Sequence, residues 1–294
     1  MSRPAGVALS RAFTRAAAVT PASPVILTCA VSGGIVTGNP NQPYTLDETV
    51  GAAIAAADAG ASIVHIHART ESGGISHDPD DYQRIAREVR ASGRGVLINL
   101  TTDGEGLDED SIPSCVAGDP ELATVVCGST NFGPGDGMIV SPAGSLRRLV
   151  GALGARGIVP EYECFDIGMV ARAVELATEA DGSAGMVHLI AGTLAGLPAD
   201  PAAILLAAQL VPPHVPWTAS SVTEPFRTMS LALALGGHVR TGLEDVVFSA
   251  PGAHAGSNGE LVSRARSLCE AVGRPVATPD EAREILGLER QVGA

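Results

Sequence analysis

Two histidines one residue apart, His65 and His67, lie in the run Ser62-Ile63-Val64-His65-Ile66-His67-Ala68-Arg69. The β-branched residues around them predict a strand, and strand side chains alternate between faces, so both imidazoles point the same way. Such a pair supplies two of the three protein ligands that a catalytic zinc uses and leaves a fourth position open for substrate. The competing possibility is a pair of hydrogen-bonded core or surface histidines. Near the other end of the chain, Gly236-Gly237-His238-Val239-Arg240-Thr241-Gly242-Leu243-Glu244-Asp245 puts adjacent carboxylates directly after another apolar run. If both runs flank one strand, His65, His67 and Glu244 converge on a single ion, in a set that suits zinc and also ferrous iron or manganese. The alternative is that Glu244 and Asp245 cap a following helix.

Other polar residues fall at the same ends of their runs. The Arg240 guanidinium can bind a carboxylate through two N–H groups or steady a developing oxyanion; otherwise it pairs with Glu161 or Glu163, which share a strand face two residues apart. Thr101 and Thr102, and Gly128-Ser129-Thr130-Asn131, offer hydroxyls and backbone N–H groups to an oxyanion or carboxylate. His188 is as well suited to a core as to a site.

These residues need a scaffold, and the chain repeats one pattern from Pro24 onward: a β-branched run, a polar or Gly-rich loop, then a stretch of helical length. The runs are Val25 to Val31, Ser62 to His67, Val96 to Thr101, Ala123 to Cys127, Ile158 to Glu163, Met186 to Ile190, Val215 to Ser220 and His238 to Thr241. Helices are predicted at 46–59, 80–92, 143–154, 166–180, 200–210 and 224–235, with a weaker one at 108–117 and two more after the eighth run. Thr45 and Glu48 form a capping-box pattern ahead of the first, Gly60 stands at its C-cap, and Thr278-Pro279 marks the start of the last. Eight such alternations predict an α/β fold, a (β/α)8 TIM barrel with a C-terminal helical extension. A doubly wound sheet competes, but no G-x-G-x-x-G follows the first strand. Residues 1–22 read as an N-terminal extension, and 23–294 as one barrel domain that includes the C-terminal helices. The Gly-rich segments at 32–43, 102–106 and 128–137 all follow strands, which makes them βα loops on the catalytic face.

Composition narrows the function. With 294 residues, 45% of them apolar, the chain can bury a large core, and a net charge of −13 argues against a nucleic-acid partner. No apolar run reaches the roughly 20 residues of a membrane helix. The first 22 residues lack the apolar centre of a signal peptide. Five cysteines without paired spacing predict reduced thiols and a cytoplasmic protein.

Taken together, His65-Ile66-His67-Ala68-Arg69, Gly128-Ser129-Thr130-Asn131-Phe132-Gly133, Pro160-Glu161-Tyr162-Glu163 with Gly168-Met169-Val170, and the segment Gly236 to Asp245 resemble the β-keto acid cleavage enzymes. The tail from Gly273 to Leu286 is similar to that family's ending, and the likeness runs from about Val25 to Leu288 in order. The resemblance implies a Zn2+-dependent barrel, usually a homotetramer, that condenses a β-keto acid with acetyl-CoA to give acetoacetate and a new acyl-CoA by a retro-Claisen route. It implies His65, His67 and Glu244 as metal ligands and Asp245 with Arg240 as the catalytic pair. Zinc would polarise the 3-keto group, and Asp245 would remove or relay the proton that generates an acetyl-CoA carbanion. Thr101, with Thr102 beside it, Thr124 and Glu163 would line the substrate pocket. Several positions depart from the family's pattern. Ile35 stands where the family's type member has a glutamate for the substrate's amino group, which points to a substrate without one. Asp103, Val126 and Val246 replace a glycine, a polar residue and an asparagine, and Ser220-Ser221-Val222-Thr223-Glu224 replaces a Gly-rich loop, which bears on CoA recognition. The alternatives are a CoA-independent metal-dependent lyase or aldolase, and a catalytically silent homologue that binds a small acid.

Overall fold

Each predicted run becomes a strand, and together the strands close on themselves. The computed structural model describes residues 23–103, 112–131, 137–179, 185–194 and 196–288. Strands β1 (Leu27–Ser32), β2 (Ile63–Ile66), β3 (Leu97–Leu100), β4 (Leu122–Val126), β5 (Val159–Cys164), β6 (Met186–Ala191), β7 (Trp217–Ser221) and β8 (His238–Thr241) form one closed parallel barrel in sequence order. β1 pairs with β8 on one side and β2 on the other. The fold is the (β/α)8 barrel, and the open doubly wound sheet is excluded. The predicted extension at 1–22 lies outside the described residues.

Helices α1 (Leu46–Ala59), α2 (Pro79–Ala91), α3 (Ala143–Gly154), α4 (Ile167–Glu179), α5 (Pro201–Leu210), α6 (Pro225–Ala234) and α7 (Asn258–Val272) wrap the outside, and α8 (Pro279–Leu286) follows. Of the weaker helix expected at 108–117, residues 108–111 lie outside the described residues, and the rest holds a 3-10 turn, Ser114–Gly118. Caps explain the sharp starts. The Thr45 and Thr278 side chains each accept from the N–H three residues on, while Glu48 and Glu281 accept from the cap backbone; losing such a cap costs about 1 kcal/mol. Gly60 ends α1 with φ 108, where a side chain would be strained. Two short hairpins that the pattern did not reveal, Thr130–Asn131 with Met138–Ile139 and Phe248–Ala250 with Ala253–His254, sit in the loops after β4 and β8.

The strand period of two sorts the residues. Leu27, Cys29, Val31, Val64, Ile66, Ile98, Leu100, Val125, Tyr162 and Val187 face the helices and form the main core with their buried stripes, such as Val50, Ala53 and Ala56 of α1. At the N-terminal end of the barrel interior, Ile26, Ile63, Leu97, Leu122, Val159 and Met186 pack together, and Ala277, Ala282 and Leu286 close that end. Two positions further along each strand the interior turns polar: Thr28, His65, Asn99, Thr124, Glu161 and His188 are buried. Barrel interiors are stacked layers of side chains, and here the chemistry lies above an apolar plug. All five cysteines are buried and unbridged. Among the described residues no helix is long and apolar enough to cross a membrane.

Candidate active site

His65 lies in β2, fully buried, and His67 follows the end of the strand at the barrel mouth. Their rings stand 5.1 Å apart, nearly perpendicular. Glu244 reaches them from beyond β8 because the chain turns sharply at Gly242, whose φ is 144 and where a Cβ would lie 2.0 Å from the Ala30 carbonyl oxygen. Opposite, a Cβ on Gly33 would come within 2.6 Å of Glu244 Cγ. Both glycines are therefore required by close approach. Asn258 at the start of α7 fixes this turn: its Oδ1 accepts from the Leu243 N–H at 2.9 Å and its Nδ2 donates to the Val31 carbonyl at 3.0 Å.

The result is a three-residue cluster. Glu244 Oε2 is 3.6 Å from His65 Nε2, Glu244 Oε1 is 3.7 Å from His67 Nε2, and the donor atoms of all three residues lie within 4.8 Å of one another. These separations are too long for hydrogen bonds. They match ligands around one ion, since tetrahedral N and O donors at zinc distances stand roughly 3.4 Å apart. His65 Nδ1 and Nε2, His67 Nδ1 and Glu244 Oε2 are buried without a conventional hydrogen-bond partner among the described residues, a costly state that a cation would relieve. Nitrogen and carboxylate donors fit a divalent metal of the zinc type.

Electrostatics prepares the same atoms. Burial pushes His65 down to about 3, so its imidazole is neutral, the form that donates a lone pair. Burial, the largest single influence, works against ionising Glu244, but Arg240 and, after it, the two imidazoles together outweigh it and hold the carboxyl below its usual range. Arg240 is 2% exposed and grips Asp245 through two N–H groups, Nε to Oδ2 at 2.9 Å and Nη2 to Oδ1 at 3.2 Å. Its Nη2 also donates to Glu244 Oε1 at 2.5 Å, and Nη1 lies 3.7 Å from Glu163 Oε1. Burial raises Asp245, with Glu244 adding to it against the pull of Arg240. Burial likewise lifts Glu163 to about 8.

The predicted pocket residues divide. Thr101 is buried and its Oγ1 accepts from the Asp103 N–H at 3.0 Å. Thr102 donates its hydroxyl to the Thr124 carbonyl at 2.8 Å, which ties the end of β3 to β4. The Thr124 side chain is buried in the barrel interior. Ile35 is partly buried, and its loop is clamped: the Ile35 carbonyl accepts from Gln42 Nε2 at 2.9 Å and from Arg69 Nη2 at 3.2 Å. Arg240 therefore pairs with Glu163 as one sequence alternative had it, whereas Glu161 pairs with His188. Sequence reasoning passed over Asn99, Gly33 and Asn258. The period of two places Asn99 on the face of Thr101; nothing local marks the other two.

A closed parallel barrel that gathers two imidazoles, three carboxyls and one guanidinium at the C-terminal ends of its strands has the layout of a barrel enzyme with a cation-binding mouth. The chain belongs to the β-keto acid cleavage enzymes: the family model described as beta-keto acid cleavage enzyme matches residues 24–288. It is 34% identical over 271 residues to a 3-keto-5-aminohexanoate cleavage enzyme of Acetoanaerobium sticklandii, covering 90% of this chain and 99% of that one. It is 32% identical over 273 residues to a 3-oxoadipate:acetyl-CoA acetyltransferase of Cupriavidus necator, covering 90% and 95% respectively. Among solved structures, a binary complex of ObcA with oxaloacetate shares the fold, with a TM-score of 0.69 and 21% identity over 85% of this chain and 68% of that chain. The protein is thus an enzyme of the class that cleaves a carbon–carbon bond of a β-keto acid.

Proposed function

We propose that the protein is a zinc-dependent β-keto acid cleavage enzyme that uses acetyl-CoA and yields acetoacetate and a new acyl-CoA. The convergence of His65, His67 and Glu244 beside the Arg240–Asp245 pair carries this proposal. A zinc ion held by those three residues would act as a Lewis acid on the 3-keto oxygen. Asp245 accepts the proton from C2 of the keto acid, with Arg240 fixing its orientation and steadying negative charge on the substrate. Thr101 and Thr124, with Thr102 bracing their strands, hold the substrate carboxylate, and Glu163 sets the position of Arg240.

Bond bookkeeping corrects one expectation. Acetoacetate made from the acetyl group and the keto acid must gain its CH2–COO portion from the keto acid. The bond formed therefore joins the acetyl carbonyl carbon to C2, the bond broken is C2–C3, the CoA thiolate leaves the acetyl carbon and ends on the former C3 acyl group, and C2, which gave a proton to Asp245 at the start, takes one back when C2–C3 breaks. The carbanion thus belongs to the keto acid and not to acetyl-CoA.

The substrate proposed is one without an amino group, because Ile35 offers an ammonium no counter-charge. Assembly into a homotetramer is supported by the outer face of α5, where Leu205, Leu206 and Leu210 are exposed. The buried, unbridged thiols suit the cytoplasm. The test is a panel of β-keto acids with and without acetyl-CoA, assayed for acetoacetate on protein of known metal content. Acetoacetate formed only with acetyl-CoA supports the proposal; C–C cleavage without CoA makes the protein a lyase instead.

A further inference from the structure

Beneath the converged carboxylates a line of buried polar side chains crosses the barrel, and the chemistry above uses none of them. Asn99 on β3 is in register with His65 on β2. Asn99, Glu161 and His188 are fully buried and Ser220 is 1% exposed. The Asn99 amide donates to Glu161 Oε2. The other carboxyl oxygen of Glu161 is 3.3 Å from His188 Nδ1, and His188 Nε2 is 2.9 Å from Ser220 Oγ.

This connectivity has a direction. A carboxylate only accepts, and a protonated carboxyl would carry its hydrogen on the oxygen that faces the His188 ring, so in either state Glu161 Oε2 takes the NH2 end of Asn99. The amide is thereby oriented, and its Oδ1 is left buried with no hydrogen-bond partner among the described residues. Asn99 and His65 are register partners on adjacent strands, both buried in the barrel interior, so the orphaned amide oxygen lies beside the His65 ring. His65 Nε2 is the atom turned to Glu244, and Nδ1, buried and without a hydrogen-bond partner among the described residues, is the one left for Asn99. An amide oxygen cannot donate, so the nitrogen facing it must carry the hydrogen.

We infer that Asn99, oriented by Glu161, is a positioning residue that holds His65 as its Nδ1–H tautomer and so presents the Nε2 lone pair to the divalent cation. The inference rests on the metal site proposed above. Partners that fix the far nitrogen of a ligating histidine change metal affinity by about 10–100-fold when removed. Glu161 acts only through Asn99, and any residue able to accept the amide N–H serves in its place.

The test reads two quantities, neither of them turnover. Heteronuclear NMR of the metal-free wild type reports the His65 tautomer, and competition with a chromophoric chelator gives the zinc Kd of wild type, Asn99→Leu, Glu161→Leu and Glu161→Gln. The expected result is an Nδ1–H tautomer in the wild type and zinc binding weakened about 10–100-fold by Asn99→Leu and Glu161→Leu. Glu161→Gln keeps wild-type affinity within about 3-fold, because its carbonyl still accepts from Asn99. An Nε2–H tautomer in the wild type overturns the inference without any variant, so it remains testable even where a leucine variant fails to fold. Wild-type zinc affinity in folded Asn99→Leu overturns it while the metal site stands. A wild type that takes up no zinc overturns the metal site and this inference together.

Discussion

The two ends of the barrel interior share strands and differ in nearly everything else. At the N-terminal end Ile26, Ile63, Leu97, Leu122, Val159 and Met186 make an apolar plug. Two residues along the same six strands stand Thr28, His65, Asn99, Thr124, Glu161 and His188, equally shielded from water. Burying an apolar side chain contributes about 1.5–3 kcal/mol, whereas burying a polar or ionisable one without full pairing costs free energy. The upper layer is thus a load on stability that the lower layer and the outer core offset, and the load sits where the donor atoms are needed.

Substitutions separate the two ends, and the largest effect belongs to the mouth. Glu244→Ala removes one of three donors; metal content measured by mass spectrometry should fall from one equivalent to near zero, and cleavage should fall by at least about 100-fold. Full occupancy in that variant would dissolve the proposed distinction between the ends. Asp245→Asn should keep its metal yet lose about 10²–10⁴-fold in kcat, the usual contribution of a positioned base. Unchanged turnover would remove Asp245 from the chemistry. In the plug, Leu97→Ala should cost about 2–5 kcal/mol in denaturant unfolding while zinc affinity and turnover per folded molecule stay as they are. A variant of Leu97 that lost metal instead would show the layers to be coupled.

The smallest effect is the sharpest on the load itself. Burial, the largest influence, lifts Glu161 from 4.5 to about 7, outweighing the opposing pull of Arg240 and Asn99. Below pH 4.5 the carboxyl is protonated whether the chain is folded or not. As pH rises from there to about 7 the unfolded chain gives up the proton while the folded one keeps it, so stability falls across that window and levels off above it. Glu161→Gln abolishes that fall. Melting temperatures of both proteins between pH 5 and 8 should converge at the acid end and separate above it; parallel curves would mean that Glu161 is not held protonated by burial.

What the sequence disclosed follows the same physical division. Strands and helices were legible because they are written in local periods and in caps such as Thr45 with Glu48, and the His65, His67 and Glu244 set because its members lie at the ends of the two strands that flank β1 in a barrel already inferred. Asn99 was silent because its partner Glu161 lies on β5, two strands away, and only the closed barrel brings them together. Arg69 was visible as part of a motif, yet its grip on the carbonyls of Gly33 and Ile35 depends on a loop fold that no period encodes. The hairpins after β4 and β8 escaped for a simpler reason, since strands of two or three residues are too short to show alternation.

The helix α8 that covers the plug has a consequence for how the chain comes to its shape. The Ala277 N–H donates to the Val25 carbonyl at 2.8 Å, the Val25 N–H to the Pro275 carbonyl at 2.8 Å, and Ser62 Oγ to the Ala277 carbonyl at 2.7 Å, so the first strands are stapled to a segment made more than 200 residues later in synthesis. Until that segment leaves the ribosome, Ile26 and Ile63 have no lid, and the nascent barrel presents a greasy floor to any chaperone that meets it.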